Sequence, residues 1–357
     1  MSKLRVALIG SGNFASAMSV YIGRNAAKCA QFEEEVRMWV FQEQVNGRNL
    51  TDIINEKHEN VKYLPGRPLP ANIRAVPDLS ECCDGANLLV FCLPHQFITK
   101  VCEQIKGKFA PGARAISMVK GFHSNPKDNT FLLISDLISQ ELGVQTACMM
   151  GANLANEIAE QKFSETTIGC ANAEDGAIFQ TLLQDENFRI NVCEDREAVE
   201  MCGALKNIVA VGAGFVDGLD LGNNAKAAVI RLGMLEMSDF IKHLYPQSQR
   251  KTFMESCGMA DLITTCFGGR NRMIAEAYAR CDKPRKTMKE LEDEFLNGQK
   301  LQGPMTAEEV YNKLKLDGIE ERYPLFTTVH KICLGKLNPE DLLPVLRSQP
   351  PSYGTVV

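Results

Sequence analysis

The segment Gly10-Ser11-Gly12-Asn13-Phe14-Ala15 follows directly on the apolar stretch Leu4 to Ile9 and opens a stretch of helical period. An apolar run, a glycine turn and a helix in that order leave few folds open. In this G-x-G-x-x-A pattern the first glycine permits a sharp turn, and the second lets backbone N–H groups approach an anion at the helix N-terminus. Position 15 needs a small residue so that the helix packs closely on the strand, and alanine suffices. The context favours a turn that receives the pyrophosphate of a dinucleotide; a purely structural turn is the alternative.

The rest of the first half agrees with that start. Strands are expected at Arg5–Ile9, Glu35–Phe41, Leu88–Leu93, Ala115–Val119 and Ala147–Met150, separated by helical stretches. Short apolar runs alternating with helices imply parallel strands buried on both faces. From about Glu194 the pattern changes to long segments of helical period. The fold class is therefore α/β: an N-terminal Rossmann-like, doubly wound, mostly parallel sheet over residues 1–193, then an all-helical domain over 194–349. Residues 350–357 read as a mobile tail.

Composition narrows the function. The chain has 357 residues, enough for two domains, and a formal net charge of -5, which argues against a nucleic-acid partner. Its 13 cysteines are odd in number and irregular in spacing, as free thiols in a reducing compartment would be. Neither the cysteines nor the five histidines have metal-ligand spacing, so no metal is expected. No run is read as a signal peptide or a membrane span, and the cytoplasm is the expected compartment.

The acid that usually holds the adenosine ribose is less clear. The second strand ends Val40-Phe41-Gln42-Glu43, with Glu43 displaced by a residue or two and Phe41 able to stack on the adenine. No arginine stands at 41 or 42 to take a 2′-phosphate, which favours NAD over NADP. Beyond later strands lie Pro94-His95-Gln96-Phe97, Lys120-Gly121 and Gly151-Ala152-Asn153. Phe97 is placed to wall a nicotinamide. His95 reads as structural more than as a proton carrier. Lys120 points at the crevice or is an ordinary solvated strand-end lysine.

In the second half, Lys206 sits in Cys202-Gly203-Ala204-Leu205-Lys206-Asn207, with Val209, Ala210 and Ala213 on the neighbouring turns. Lysine is rarely buried without a partner, so either its amine escapes to water or it is a desolvated general base. Gly268-Gly269-Arg270-Asn271-Arg272, at a helix start, combines free backbone donors with a guanidinium, equipment suited to a phosphate dianion. A simple turn with surface arginines is the other reading. The loop from Asn297 to Gly303 has glycines near both ends and reads as a lid or as a plain inter-helix connection.

These segments, in this order, resemble the cytosolic NAD-dependent glycerol-3-phosphate dehydrogenases. The match runs through Gly10–Asn13, Pro94–Phe97, Lys120-Gly121, Gly151–Asn153, Cys202–Gly214, Glu255–Thr265, Gly268–Arg272 and Asn297–Gly303, stopping near Pro339. The resemblance implies reversible oxidation of sn-glycerol 3-phosphate to dihydroxyacetone phosphate with NAD, in a homodimer. It implies Lys206 as the catalytic lysine, with Lys120, Asn207, Asp261 and Thr265 around the reacting carbon. Lys120, Arg270 and Asn271 would bind the substrate. Gly10, Ser11, Gly12, Asn13, Phe14, Ala15, Phe41, Phe97, Lys120, Ala155, Arg270, Lys300 and Gln302 would contact NAD.

The chain departs from the family at Phe14-Ala15, where tryptophan and glycine are usual, and at Gln42, where an acid is common. The Ala15 methyl is expected to crowd the pyrophosphate or the helix. Two other functions fit the sequence less well. A related hydroxyacid dehydrogenase would lack the phosphate turn, and a non-enzymatic dinucleotide sensor would be expected to lose Lys206 or Lys120.

Overall fold

The computed structural model describes residues 2–125, 130–282, 285–296 and 300–348. The chain divides into two compact units. The first comprises Met1–His123, Leu132–Met201 and Lys251–Cys257; the second comprises Ser124–Phe131, Cys202–Arg250 and the chain from Gly258 onward.

The first unit is built on an eight-stranded sheet. From one edge its order is Phe188–Cys193, Ser164–Gly169, Gln145–Met150, Arg114–Ser117, Leu88–Phe91, Leu4–Ile9, Phe32–Trp39 and Ile73–Val76. All pairings are parallel except that of Gln145–Met150 with Ser164–Gly169. The central strand Leu88–Phe91 is buried along its whole length, as a strand covered on both faces must be. Its flanking layers are distinct apolar cores. Met18, Tyr21 and Ile22 of the Asn13–Lys28 helix lie in one; Ile98, Val101, Cys102 and Ile105 lie in the other. Each such fully buried aliphatic side chain stabilises the fold by about 1.5–3 kcal/mol.

The sheet order creates the binding position. From Leu4–Ile9 the chain winds one way to Phe32–Trp39 and Ile73–Val76, then crosses back to Leu88–Phe91 on the other side of Leu4–Ile9. Ligands of open α/β sheets bind where the winding reverses, beyond the carboxyl ends of the strands. Gly10 and Cys92 stand at that place.

Three strands of this sheet escaped the sequence reading: Ile73–Val76, Ser164–Gly169 and Phe188–Cys193. Ser164-Glu165-Thr166-Thr167 looks too polar for an interior strand. Here Thr166 and Thr167 are buried, and the Thr166 hydroxyl donates to the Met150 carbonyl at 3.0 Å, which removes the cost of burying it. The second strand also ends at Trp39, not Phe41, leaving Phe41 in a loop.

The units divide between residues 201 and 202, inside the Arg196–Gly218 helix. Side chains in the first turns show why. Glu200 accepts from the Ser135 N–H at 3.1 Å, Arg196 pairs with Asp136 at 2.5 Å, and Gly169 leaves no room for a Cβ beside Arg196 and Val199. Those turns belong physically to the sheet unit.

The described part of the second unit is helical apart from the segment Ser124–Phe131. Arg196–Gly218 is the one described helix long and apolar enough to cross a membrane, and its apolar window is wholly buried in the protein. A helix apolar on every side is a core helix. Glu236, fully buried in the Gly222–Leu244 helix, caps the Pro324–Cys333 helix by accepting from the N–H groups of Leu325 and Phe326 at 2.8 and 2.9 Å.

Candidate active site

In the first unit, Gly10 has φ +123°, and a Cβ there would lie 2.1 Å from the Cys92 carbonyl oxygen. Only glycine fits that crossing. Gly12 differs: its φ is ordinary and a Cβ would meet nothing within 4 Å. No protein atom requires glycine at 12, so the open space before the helix is its physical use. The Asn13–Lys28 helix begins there with no side-chain cap and no acid in its first turn. Its free N–H groups and positive dipole end suit an anion such as a pyrophosphate. These features fit a dinucleotide.

A buried network that the sequence did not reveal holds this turn. Asn60 donates to the Ser11 carbonyl at 2.8 Å and to Ser16 Oγ at 2.9 Å, and its own carbonyl accepts from the Tyr63 N–H at 3.1 Å. Asn13 Nδ2 in turn donates to the Tyr63 carbonyl at 2.7 Å. The only signal was a polar Asn60 near the turn-rich stretch that follows, which is too common to single out. Ala15 is buried in the core beside the sheet, so its methyl is absorbed by packing under the first turn.

Phe41 and Phe97 are exposed, as side chains meant for a flat ligand ring would be. Gln42 accepts from the Thr51 hydroxyl at 3.0 Å, and the Glu43 carboxylate is paired with Lys62. His95 lies in the short 3₁₀ turn His95–Phe97; burial, and then the charge of His123, lowers its pKa. Lys120 is half-buried just past Arg114–Ser117 and is followed by Gly121 at φ +124°. Ala155 opens the short Ala155–Ala159 helix.

In the second unit, the structure brings Lys206, Asp261 and Thr265 into one cluster. Lys206 is 4% exposed; its Nζ donates to the Asp261 carboxylate and, at 2.6 Å, to Thr265 Oγ1. The amine therefore does not reach water by snorkelling. It is held by partners on the Asp261–Phe267 helix, where positions 261 and 265 are one turn apart on the same face. Beside it, burial pushes the Cys266 thiol up to about 12, leaving it protonated and inert.

The next residues form a second cluster. Asn271 Nδ2 donates to Asn207 Oδ1 at 3.0 Å, and Asn271 Oδ1 accepts from the Gly303 N–H at 2.9 Å. Gly303 approaches so closely that a Cβ would lie 2.8 Å from the Asn207 carbonyl oxygen. Gly269, at φ +88°, starts the Arg270–Arg280 helix with no side-chain cap and no acid in its first turn. Arg270 is exposed at that start, and partial burial of its head lowers its pKa, though a guanidinium stays charged at any ordinary pH. Of the glycine loop, residues 297–299 lie outside the described residues. Lys300 pairs with Glu292 at 2.7 Å, and Glu292 also accepts from the Leu301 N–H at 2.7 Å. Gln302 is the first residue of the Gln302–Asp317 helix.

Chemically, the second unit offers a desolvated amine fixed by a carboxylate and a hydroxyl, next to an uncapped, cationic helix start. Among the described residues no group of three His, Cys, Asp or Glu side chains is placed to hold a metal. All 13 cysteines are free and most are buried.

Comparison with known proteins agrees with this arrangement. Residues 5–176 match the family model described as NAD-dependent glycerol-3-phosphate dehydrogenase N-terminus, and residues 195–344 match the model of its C-terminus. The cytoplasmic glycerol-3-phosphate dehydrogenase [NAD(+)] of Drosophila kanekoi is 54% identical over 355 residues, covering 99% of this chain and 98% of that one. A solved glycerol-3-phosphate dehydrogenase of Plasmodium falciparum superposes with a TM-score of 0.93 at 40% identity, over 99% of this chain and 97% of its own. The solved DsGPDH of Dunaliella salina gives 0.92 at 43% identity over 98% of this chain, which spans 62% of that longer protein.

Proposed function

Because this chain belongs to the NAD-dependent glycerol-3-phosphate dehydrogenase family, we propose that Lys206 is the proton carrier in its reversible oxidation of sn-glycerol 3-phosphate to dihydroxyacetone phosphate. The observation that carries this reading is the burial of Lys206 against Asp261 and Thr265. A lysine so placed can exchange a proton with a hydroxyl oxygen, because its other N–H positions are not lost to bulk water.

Bound NAD supplies the acceptor for the hydride that leaves C2. Gly10, Ser11, Gly12, Asn13, Phe14 and Ala15 would hold its pyrophosphate, Phe41 its adenine and Phe97 its nicotinamide; Ala155, Lys300 and Gln302 complete the contact set. In oxidation, neutral Lys206 takes the C2 hydroxyl proton. In reduction, its ammonium form returns that proton to the carbonyl oxygen. Asp261 and Thr265 fix the amine, and with Lys120 and Asn207 they would stand around the reacting carbon. Arg270, Asn271 and the N–H groups of their helix start grip the phosphate, and that remote grip fixes the reacting carbon.

In this reading the sheet unit serves as the NAD-binding domain, expected from the sequence over 1–193, and the helical unit as the substrate domain, expected over 194–349, and two copies form the active homodimer. The D. kanekoi relative is named as a cytoplasmic enzyme, and the cytoplasm is the compartment proposed for this chain. The test is an NADH-oxidation assay with dihydroxyacetone phosphate, repeated with NADPH, on the intact chain and on Arg270→Ala. Turnover with NADH that needs the phosphate and Arg270 is expected. Equal rates with unphosphorylated dihydroxyacetone would refute the assignment.

A further inference from the structure

Lys226, like Lys206, is a lysine set among small apolar residues, here Ala225-Lys226-Ala227-Ala228. It is 5% exposed, in the first turns of the Gly222–Leu244 helix. Its Nζ donates to Asp217 Oδ2 at 2.7 Å and lies 4.5 Å above the centroid of the Phe267 ring. The same Asp217 oxygen accepts from Arg272 Nη1 at 2.9 Å. Phe267 is the residue before Gly268-Gly269, and Arg272 is two residues past Arg270. The pair of buried Lys226 and half-buried Asp217 therefore touches the residues that flank the glycine turn on both sides.

The backbone beneath makes that hold exacting. Gly214 and Gly218, one turn apart on the Arg196–Gly218 helix, admit the Arg270–Arg280 helix so closely that a Cβ would lie 2.3 Å from the Arg272 carbonyl oxygen and 2.6 Å from that of Glu276. Asp217 stands between these two glycines in sequence. The contact fixes how far the second helix sits from the first, and Asn271, bonded to Asn207 and Gly303, ties one side of its start; the flexible Gly268-Gly269 pair ahead of it needs a further hold. The Arg272 ion pair supplies that hold on one side, and the Lys226 head over one face of the otherwise exposed Phe267 ring supplies it on the other.

We propose that Lys226 and Asp217 are positioning residues for the phosphate turn: they fix Phe267 and Arg272 and so aim Arg270 and the helix-start N–H groups. This rests on the reading that Gly268–Asn271 takes the phosphate. Neither residue enters the proton transfer. Their loss loosens the grip on the substrate and leaves the Lys206 cluster intact.

Steady-state kinetics with dihydroxyacetone phosphate on the full chain tests this. Lys226→Met is expected to raise KM about tenfold, the scale of one lost ordering contact, with kcat within about threefold. Lys226→Arg, which restores a cation and a donor, should return KM to within about threefold of the original. Phe267→Leu removes the ring without stranding a buried charge, so it folds and carries the test if Lys226→Met does not; a KM rise of about threefold is expected. Arg270→Ala run in parallel separates the two claims. If it leaves KM unchanged, the phosphate reading itself fails. If it raises KM while folded Lys226→Met and Phe267→Leu do not, or if Lys226→Met lowers kcat alone, the positioning role is overturned.

Discussion

Asn207 and Asn271 join two helices of the second unit: Asn271 Nδ2 donates to Asn207 Oδ1 at 3.0 Å while Asn271 Oδ1 accepts the Gly303 N–H at 2.9 Å. One amide thus ties the Lys206 helix, the start of the helix after Gly268-Gly269 and the end of the glycine loop. Asn271→Ala strands the buried Gly303 N–H, which costs about 1–3 kcal/mol. A clear fall in Tm together with a raised KM for dihydroxyacetone phosphate is expected. Asn271→Asp keeps the acceptor for Gly303, and the Asn207 amide can turn over to donate to it. Its Tm should change little, while the new charge repels the phosphate and raises KM further. An alanine variant indistinguishable from the parent in both measurements would show that the network does not matter.

Lys206 and Asp261 are both almost fully buried. Removing one member of such a pair leaves the other uncompensated, at a cost of about 3–5 kcal/mol. Lys206→Ala is therefore expected to lower Tm as well as to reduce kcat by about 10²-fold or more. The double variant Lys206→Met/Asp261→Leu should regain much of the lost stability and none of the turnover. Recovery of activity with the fold would remove Lys206 from the chemistry.

Gly10 and Gly12 are two residues apart and predict opposite outcomes. Gly10→Ala drives a methyl into the Cys92 carbonyl at a backbone angle alanine resists, so stability should fall sharply. Gly12→Ala meets no protein atom. Its Tm should shift by the equivalent of about 1 kcal/mol or less, while KM for NADH rises because the methyl occupies the cofactor's space. Thermal unfolding and NADH titration on both variants decide the matter; equal loss of stability at the two sites would contradict the geometry.

Burial pushes the Glu236 carboxyl up to about 8, against the opposing pull of its two backbone hydrogen bonds. Its folded pKa lies above the unfolded one, so the folded state holds more protons between the two values. This group's contribution to stability is then greatest at low pH and declines as pH rises from about 4.5 through about 8. Glu236→Gln cannot titrate. Comparing Tm from pH 5 to 9, the decline attributable to this site should be absent in the glutamine variant; parallel curves would exclude Glu236 as its source.

The candidate site residues legible in the sequence each carry a local signature. Gly10 and Gly12 follow a strand, Lys206 interrupts an apolar helix, and Arg270 follows two glycines. Such features are written in neighbours a few positions apart, where φ preference, helical spacing and charge are enough to read them. Strands whose threonines look exposed on paper, such as Ser164–Gly169, were not legible, because their partners come from other segments: the Met150 carbonyl for Thr166 and the Cys257 N–H for Thr167. The same holds for Asn60, whose partners at Ser11 and Ser16 come from a distant segment.

The amino-acid order alone thus determined the α/β start, the helical remainder, the glycine turn and the lysine among small residues. It could not decide whether Lys206 and Lys226 were buried or snorkelling. Both have the same kind of neighbours in the chain; what separates them is the partner each meets in space, Asp261 with Thr265 for one and Asp217 with Phe267 for the other. A buried charge persists only where opposite charge and hydrogen-bond acceptors converge on it, and that convergence exists only once the helices have packed.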